Sequence, residues 1–346
     1  MDNRQVNIID RKPFLEKWLQ KNINNFEGPI KIEPILGGQS NPTYLINSFK
    51  KKYILRSKPL GKLLPSAHAI EREYRILKAL RQTIIPVPKV YILCEDINVW
   101  GSPFYIMEFI DGRIFYDPLI PDINNEERKK TYIAMIKTLS DLHLLDYKKL
   151  GLEDFGKIGS YVQRQVKRWS TQYRKSETKK IISMEKLIDW IPDNIPKNEK
   201  TTIVHGDFRI DNIIFHPSEP KVVGVLDWEI STLGNPFADF AYNAMIWRLS
   251  KNQFRGLKET NFIKLGIPSE NEYFKKYLDF MNISSIPNWN FYIIYNMFRL
   301  SAILQGIAGR AREGTAASPE AIKMANLVEP IANSAWEQVE IYNNAN

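Results

Sequence analysis

The stretch His205–Glu229, HGDFRIDNIIFHPSEPKVVGVLDWE, decides how the rest of the chain reads. Inside it are two short β-favouring runs, Ile213–Phe215 and Val222–Leu226, separated by a turn at His216–Pro220. Paired as an antiparallel hairpin, they put Asn212, just before the first run, beside Asp227, just after the second. An amide oxygen and a carboxylate then converge at one end, beside Asp207. Mg²⁺ takes hard oxygen ligands from one or two side chains and leaves its remaining positions to water and phosphates, so Asn212 and Asp227 are candidate metal ligands. The bland alternative is a strand–turn–strand whose Asp and Asn only cap and bend the chain.

Upstream, the segments Ile32–Ile35, Thr43–Ile46 and Tyr53–Arg56 favour strand and are divided by turn chemistry at Gly37-Gly38 and Ser48–Lys52. From Pro65 to Arg81 the period becomes helical, with Ile70, Tyr74, Leu77 and Leu80 on one face and Glu73 inside that stripe. A carboxylate among apolar side chains is costly unless a cation pairs with it, and Arg56 at the end of the third strand is the candidate, with Lys58 as fallback. Two further strands, Lys89–Cys94 and Phe104–Phe109, flank a turn at Asp96–Gly101, and a short amphipathic helix over 13–23 precedes the whole. Past Asp111-Gly112 the pattern is mainly helical, with segments at 126–145, 158–173 and 291–308, and further ones at 176–190, 236–250, 270–280 and 320–341. The expected domains are a nucleotide-binding lobe at 1–107, a hinge at 108–112 and a helical lobe at 113–346.

The 346 residues, 44% hydrophobic and 25% charged, make a folded protein with a real core and argue against disorder or coiled coil. Met281–Phe298 lacks charges but is broken by Pro287, Asn and Ser, so no membrane span is expected. The polar, early-acidic N-terminus has no secretory h-region, which points to the cytoplasm. One cysteine, Cys94, and four scattered histidines, His68, His143, His205 and His216, exclude a structural zinc centre. His143 reads as a satisfied core histidine. The net charge of +9 is spread along the chain, without a basic block or groove-reading motif, so an anionic small molecule accounts for it better than nucleic acid.

The H-G-D-x-x-x-x-N loop and the strand ending in Asp227-Trp228-Glu229 resemble the aminoglycoside phosphotransferase and choline kinase-like family, and the spacing matches the protein-kinase template. GGQSNPTY at 37–44, YILRSKP at 53–59, AHAIEREYRIL at 67–77, FYIMEFIDG at 104–112 and FRLSAILQGIAGRAREGTAAS at 298–318 extend the likeness over most of the chain, closest to the branch fused to acyl-CoA dehydrogenases. The resemblance implies an α+β, bilobal protein-kinase-like fold with a five-stranded antiparallel N-lobe carrying one helix and a mainly helical C-lobe. It implies a small-molecule kinase using Mg²⁺ and ATP, GTP remaining open, in which Asp207 is the catalytic base and Asn212 and Asp227 hold metal. His205 would brace the loop, and Asp239, in NPFADFA, would hydrogen-bond it.

Nucleotide contacts would come from Arg56 with Glu73, from Gly38, Ser40 and Asn41 in the glycine turn, and from Met107, Glu108 and Ile110 beside adenine. Kinases normally place lysine where Arg56 stands; arginine is a permanently charged fork able to bind carboxylate and phosphate. Arg299, Arg310 and Arg312 are either solvated charges or candidates for an anionic acceptor such as a hydroxyacyl-CoA. Two other readings stay open: a catalytically weak nucleotide-binding module, suggested by Arg56, and an aminoglycoside kinase, which the basic charge makes a poorer fit.

Overall fold

The computed structural model describes residues 7–35, 41–60, 69–197, 199–312 and 319–344. Contacts divide the chain into two compact units: Met1–Arg113 with Asn212–Ser218 and Val222–Ser231, and Ile114–Asp211 with Glu219–Lys221 and Thr232–Asn346.

The first unit is built on one antiparallel sheet. Its strands are β1 (Lys31–Pro34), β2 (Thr43–Asn47), β3 (Lys52–Ser57), β4 (Val90–Cys94) and β5 (Phe104–Glu108), in the order β1-β2-β3-β5-β4. The five expected strands all form. Pro34 is tolerated because β1 is an edge strand, while β3 and β5 are central and buried along nearly their whole length. Strand alternation sorts the side chains of β3 onto two faces. Tyr53 and Leu55 join Tyr44, Ile46, Phe104 and Ile106 in a core closed by Leu15 and Leu19 of α1 (Ile8–Asn22). Ile54 and Arg56 point the other way, in register with Met107 and Tyr105, toward α2 (Ile70–Leu80).

The described part of α2 begins at Ile70, and residues 61–68, including the expected start at Pro65, lie outside the described residues. Its buried stripe is Ile70, Glu73, Ile76, Leu77 and Leu80; Tyr74, expected in it, is half-buried with its ring edge on Tyr105. The turn expected at Asp96–Gly101 holds a short helix, α3 (Ile97–Trp100). The Asp96 carboxylate accepts from Asn98 N–H, Gly101 closes the helix at φ 105°, and Trp100 is carried into the core against Tyr44. The described part of this unit thus adds α3 to the two helices expected, α1 and α2.

The hairpin of β7 (Ile213–Phe215) and β8 (Val222–Val225) belongs to this unit. The reason is local. Val225 N–H donates to Pro86 O at 2.8 Å, Phe215 bridges Arg113, and the hairpin lies so close to Gly112 that a Cβ there would meet Ile214 and the Phe215 carbonyl at 2.4 Å.

The second unit is helical apart from a two-stranded ladder of β6 (Thr202–Val204) and β9 (Thr232–Gly234), the latter not anticipated from sequence. Its helices are α4 (Asn125–Leu144), α5 (Tyr161–Ser176), α6 (Ile182–Asp193), α7 (Pro236–Ala244), α8 (Phe262–Leu265), α9 (Glu270–Met281), α10 (Trp289–Arg312), α11 (Pro319–Ala325) and α12 (Val328–Asn344). The α5 helix starts at Tyr161 because Gly159 and Ser160 are left-handed; Glu199, remote in sequence, accepts from the Tyr161 and Val162 N–H groups. The α10 helix is buried on almost every face from Phe291 to Gly309 and packs against α5, α7 and α12. A helix apolar all round is a core helix. No helix among the described residues is long and apolar enough to cross a membrane.

Candidate active site

The residues singled out in the sequence gather into two clusters, one in each unit. In the second unit, α7 builds the first. Asn235 caps it, its Oδ1 accepting from Phe237 and Ala238 N–H, and Pro236 sits at the first turn where its missing N–H costs nothing. One face of α7 then holds the loop His205–Phe208. Asp239 accepts from the backbone N–H groups of His205 and Gly206, both at 2.8 Å. One turn on, the Tyr242 hydroxyl donates to Asp207 Oδ1 at 2.7 Å, and Asn243 donates to the Phe208 carbonyl at 3.0 Å. The i, i+3, i+4 spacing of a helix places these three side chains side by side. Gly206, at φ 84°, supplies the left-handed turn that sends Asp207 back toward α7.

Asp207 is also clasped by Arg209, whose Nε and Nη2 donate to Oδ1 at 2.8 Å and Oδ2 at 3.2 Å. Burial pushes the Asp207 carboxyl up, but the Arg209 guanidinium and the Tyr242 hydroxyl outweigh it and hold the group below the usual aspartate range. The group is held as an ionised carboxylate. Behind the loop, Arg299 of α10 donates to the Gly206 carbonyl at 2.7 Å and lies over the Tyr242 ring at 4.7 Å. It is buried, and so is not the solvated charge considered from sequence; Arg310 and Arg312 are exposed.

His143 is the core histidine expected. Its Nδ1 meets the Tyr277 hydroxyl at 2.8 Å and its Nε2 meets Asp239 at 3.1 Å. Burial raises the Asp239 carboxyl, yet hydrogen bonds and nearby imidazoles bring it below its ordinary value. A carboxylate depressed in the folded state adds stability above its unfolded pKa and loses it as pH falls through the folded one. Replacing Asp239 by Asn is therefore expected to cost about 2–4 kcal/mol at neutral pH, with a smaller deficit in acid. Urea unfolding of both proteins at neutral and acid pH checks this; equal deficits at both would show that the carboxylate charge contributes nothing.

In the first unit, Arg56 centres the other cluster. Its Nε donates to Glu73 Oε2 at 2.8 Å and its Nη2 to Asp227 Oδ1 at 2.9 Å, with Glu229 at 3.8 Å. The Arg56–Glu73 pair read from the sequence thus forms. Burial pushes Glu73 above the ordinary carboxylate range against the opposing pull of Arg56. Lys58 instead pairs with Glu71. Asn41, buried, donates to Glu229 at 3.4 Å, whereas Gly38 and Ser40 lie outside the described residues.

Leu226 N–H donates to the Asn212 carbonyl at 2.8 Å, which brings Asn212 and the start of the Asp227 turn together as the hairpin reading requires. Asp227 itself is left-handed at φ 65°. Among the described residues no three acid, histidine or cysteine side chains converge on a metal site. Two hard oxygen donors with phosphate and water completing the shell is the arrangement Mg²⁺ accepts, so Asn212 and Asp227 fit it. Met107 is buried on β5; Glu108 N–H donates to the Lys89 carbonyl, and Ile110 reaches Gly224.

Sequence reasoning missed Arg209 and Tyr242. The signal for Arg209 was its place two residues past Asp207, and for Tyr242 its position one turn past Asp239.

The sequence pattern of the APH phosphotransferase enzyme family matches residues 31–267. Acyl-CoA dehydrogenase family member 10 of Mus musculus is 46% identical over 326 residues, covering 93% of this chain and 30% of that protein. Family member 11 of Homo sapiens is 38% identical over 329 residues, covering 93% of this chain and 42% of that protein. The chain therefore spans less than half the length of these relatives. A solved structure from Ralstonia eutropha JMP134, provisionally assigned as an aminoglycoside phosphotransferase, is 43% identical with a TM-score of 0.87 over 95% of this chain and 98% of that one. A choline kinase of Cryptosporidium parvum, at 12% identity, shares the fold with a TM-score of 0.63 over 96% of both chains.

Proposed function

The chain belongs to the phosphotransferase enzyme family and has its α+β, protein-kinase-like fold, and we propose that it moves the terminal phosphoryl group of Mg²⁺-ATP to the hydroxyl of a small molecule. The observation that carries this reading is the ionised Asp207 carboxylate, fixed by Arg209 and Tyr242 on a loop whose backbone α7 holds. Asp207 takes the proton of the acceptor hydroxyl as the new O–P bond forms and the bond to the nucleoside diphosphate breaks. Asn212 and Asp227 are the proposed holders of the metal, which when bound neutralises polyphosphate charge. Arg56, Glu73, Asn41, Met107, Glu108 and Ile110, with Gly38 and Ser40, are the proposed nucleotide contacts. Arg56 supplies a fixed positive charge where it contacts Asp227. A GTP donor is compatible with the same residues.

A hydroxyacyl-CoA is the acceptor we favour. It is supported by the acyl-CoA dehydrogenase relatives. The test is transfer from γ-labelled ATP or GTP to hydroxyacyl-CoAs, free hydroxy acids, choline and aminoglycosides. Transfer to one acceptor class establishes the reaction; nucleotide binding with no transfer to any of them would favour the non-catalytic module that Arg56 in place of lysine suggests.

Tyr242 supplies a further check. Its hydroxyl stabilises the charged form of Asp207, together with the facing Arg209, Arg299 and His205. Removing it in Tyr242→Phe raises the Asp207 pKa, so the acid limb of kcat/KM moves to higher pH. A pH–rate profile superimposable on the wild type would show that the hydroxyl does not tune the base.

A further inference from the structure

Within the second unit lies a hollow open to solvent that shares two walls with the base: Arg209 and Tyr242, both bonded to the Asp207 carboxylate, line it. Most of the remaining wall is apolar, from Met135 on α4 to Ile246 and Phe254. The charged groups are unequal. Asp211 is the one carboxylate in the lining, and both Arg209, at 3.2 Å, and Arg255, at 3.4 Å, turn to it. Arg209 is shared between Asp207 and Asp211, so Arg255, half-exposed and meeting Asp211 only at 3.4 Å, is the cation of the lining least committed to a carboxylate.

The segment that carries Arg255 is held in an unusual shape. Phe254 and Arg255 are consecutive non-glycine residues in the left-handed region, at φ 52° and 58°, a strained conformation that tends to mark functional sites. Neighbouring backbone bonds enforce it: Gln253 and Gly256 N–H both donate to the Ser250 carbonyl, and Leu257 N–H to that of Ile246. A Cβ at Gly256 would lie 1.9 Å from the Leu249 carbonyl oxygen, so only glycine closes this turn. The result presents the Phe254 ring under Arg209 and aims Arg255 at Asp211 and the Tyr116 carbonyl.

We propose that this cavity is the acceptor site and that Arg255 selects acceptors carrying one anionic group, a carboxylate or a phosphate, on an apolar body. The anion competes with Asp211 for Arg255 while the apolar body fills the hollow. As an acceptor site the inference rests on the phosphotransferase reading; as an anion-selective pocket it is testable without activity.

The experiment is calorimetric titration of the full chain with octanoate, octanoyl-CoA and octanamide, for the wild type, Arg255→Gln and Arg255→Lys. At least one of the two anionic probes is expected to bind about tenfold or more tighter than octanamide, with Arg255→Gln abolishing the preference and Arg255→Lys keeping most of it. Preference for octanoate identifies a carboxylate; preference for octanoyl-CoA alone identifies the CoA phosphates. Thermal unfolding checks that the variants fold, which the half-exposed position of Arg255 favours. Octanamide binding as tightly as both anions, no binding of any probe, or a preference that survives Arg255→Gln overturns the proposal. Transfer is read separately, so an anion-selective pocket without transfer removes the phosphotransferase reading alone, and transfer without that selectivity removes this inference alone.

Discussion

Asp207→Asn is expected to lower kcat by about 10²–10⁴-fold, the usual worth of a positioned general base, while nucleotide binding persists. The substitution is nearly isosteric, so the loop keeps its shape: Asp239 still holds the His205 and Gly206 N–H groups, and Arg299 still holds the Gly206 carbonyl. What changes is chemical. An amide takes no proton at neutral pH, and one of its two ends presents N–H donors to Arg209 or Tyr242, which are themselves donors. Steady-state kinetics on the purified variant, with nucleotide affinity measured alongside, separates the effects. Unchanged turnover would sink the assignment of Asp207 as base, and a joint loss of turnover and nucleotide affinity would point to a collapsed loop instead.

The same loop shows how far the sequence carried. The strands were legible because β2, β3 and β5 alternate or run apolar over their whole length, and the hairpin because turn residues bracket two β-branched runs. Glu73 was legible as a charge inside an apolar stripe, a misfit that demands a cation, and Arg56 was the cation at hand. Arg299 was not legible. Arginine is usually exposed, and only the burial of α10 on nearly all sides turns it into a support for the Gly206 carbonyl.

Other features depend on chain reversals that no periodicity announces. Arg209 reaches back two residues to Asp207, which is turned by the left-handed Gly206. The three-residue strand β9 is too short for a pattern, and Glu199 caps α5 from a position nearly forty residues away. Phe254 and Arg255 carry side chains that normally avoid the left-handed region, so composition argued against the very turn they make.

Arg56 carries the second large effect, on stability. Its guanidinium is one fork serving two carboxylates from different elements, Glu73 of α2 through Nε and Asp227 after β8 through Nη2. Glu73 is only 2% exposed, and breaking a buried pair by removing one partner leaves an uncompensated charge. Arg56→Met is therefore expected to destabilise the protein by about 3–5 kcal/mol. Glu73 already sits above the ordinary carboxylate value, and losing Arg56 raises it further. The folded state then binds a proton that the unfolded state releases, so stability falls as pH rises between the unfolded and folded pKa values. The deficit of Arg56→Met should accordingly be smaller in mild acid than at neutral pH or above. Adding Glu73→Gln removes the stranded charge, and the double variant should recover part of the loss. Arg56→Lys keeps the charge but offers a point in place of a fork, so it should fall between wild type and Arg56→Met. Urea unfolding of wild type, Arg56→Met, Glu73→Gln, the double variant and Arg56→Lys across pH measures all of this; additive single-variant losses with no pH dependence would mean that the pair is not coupled and that Arg56 stabilises the sheet through packing alone.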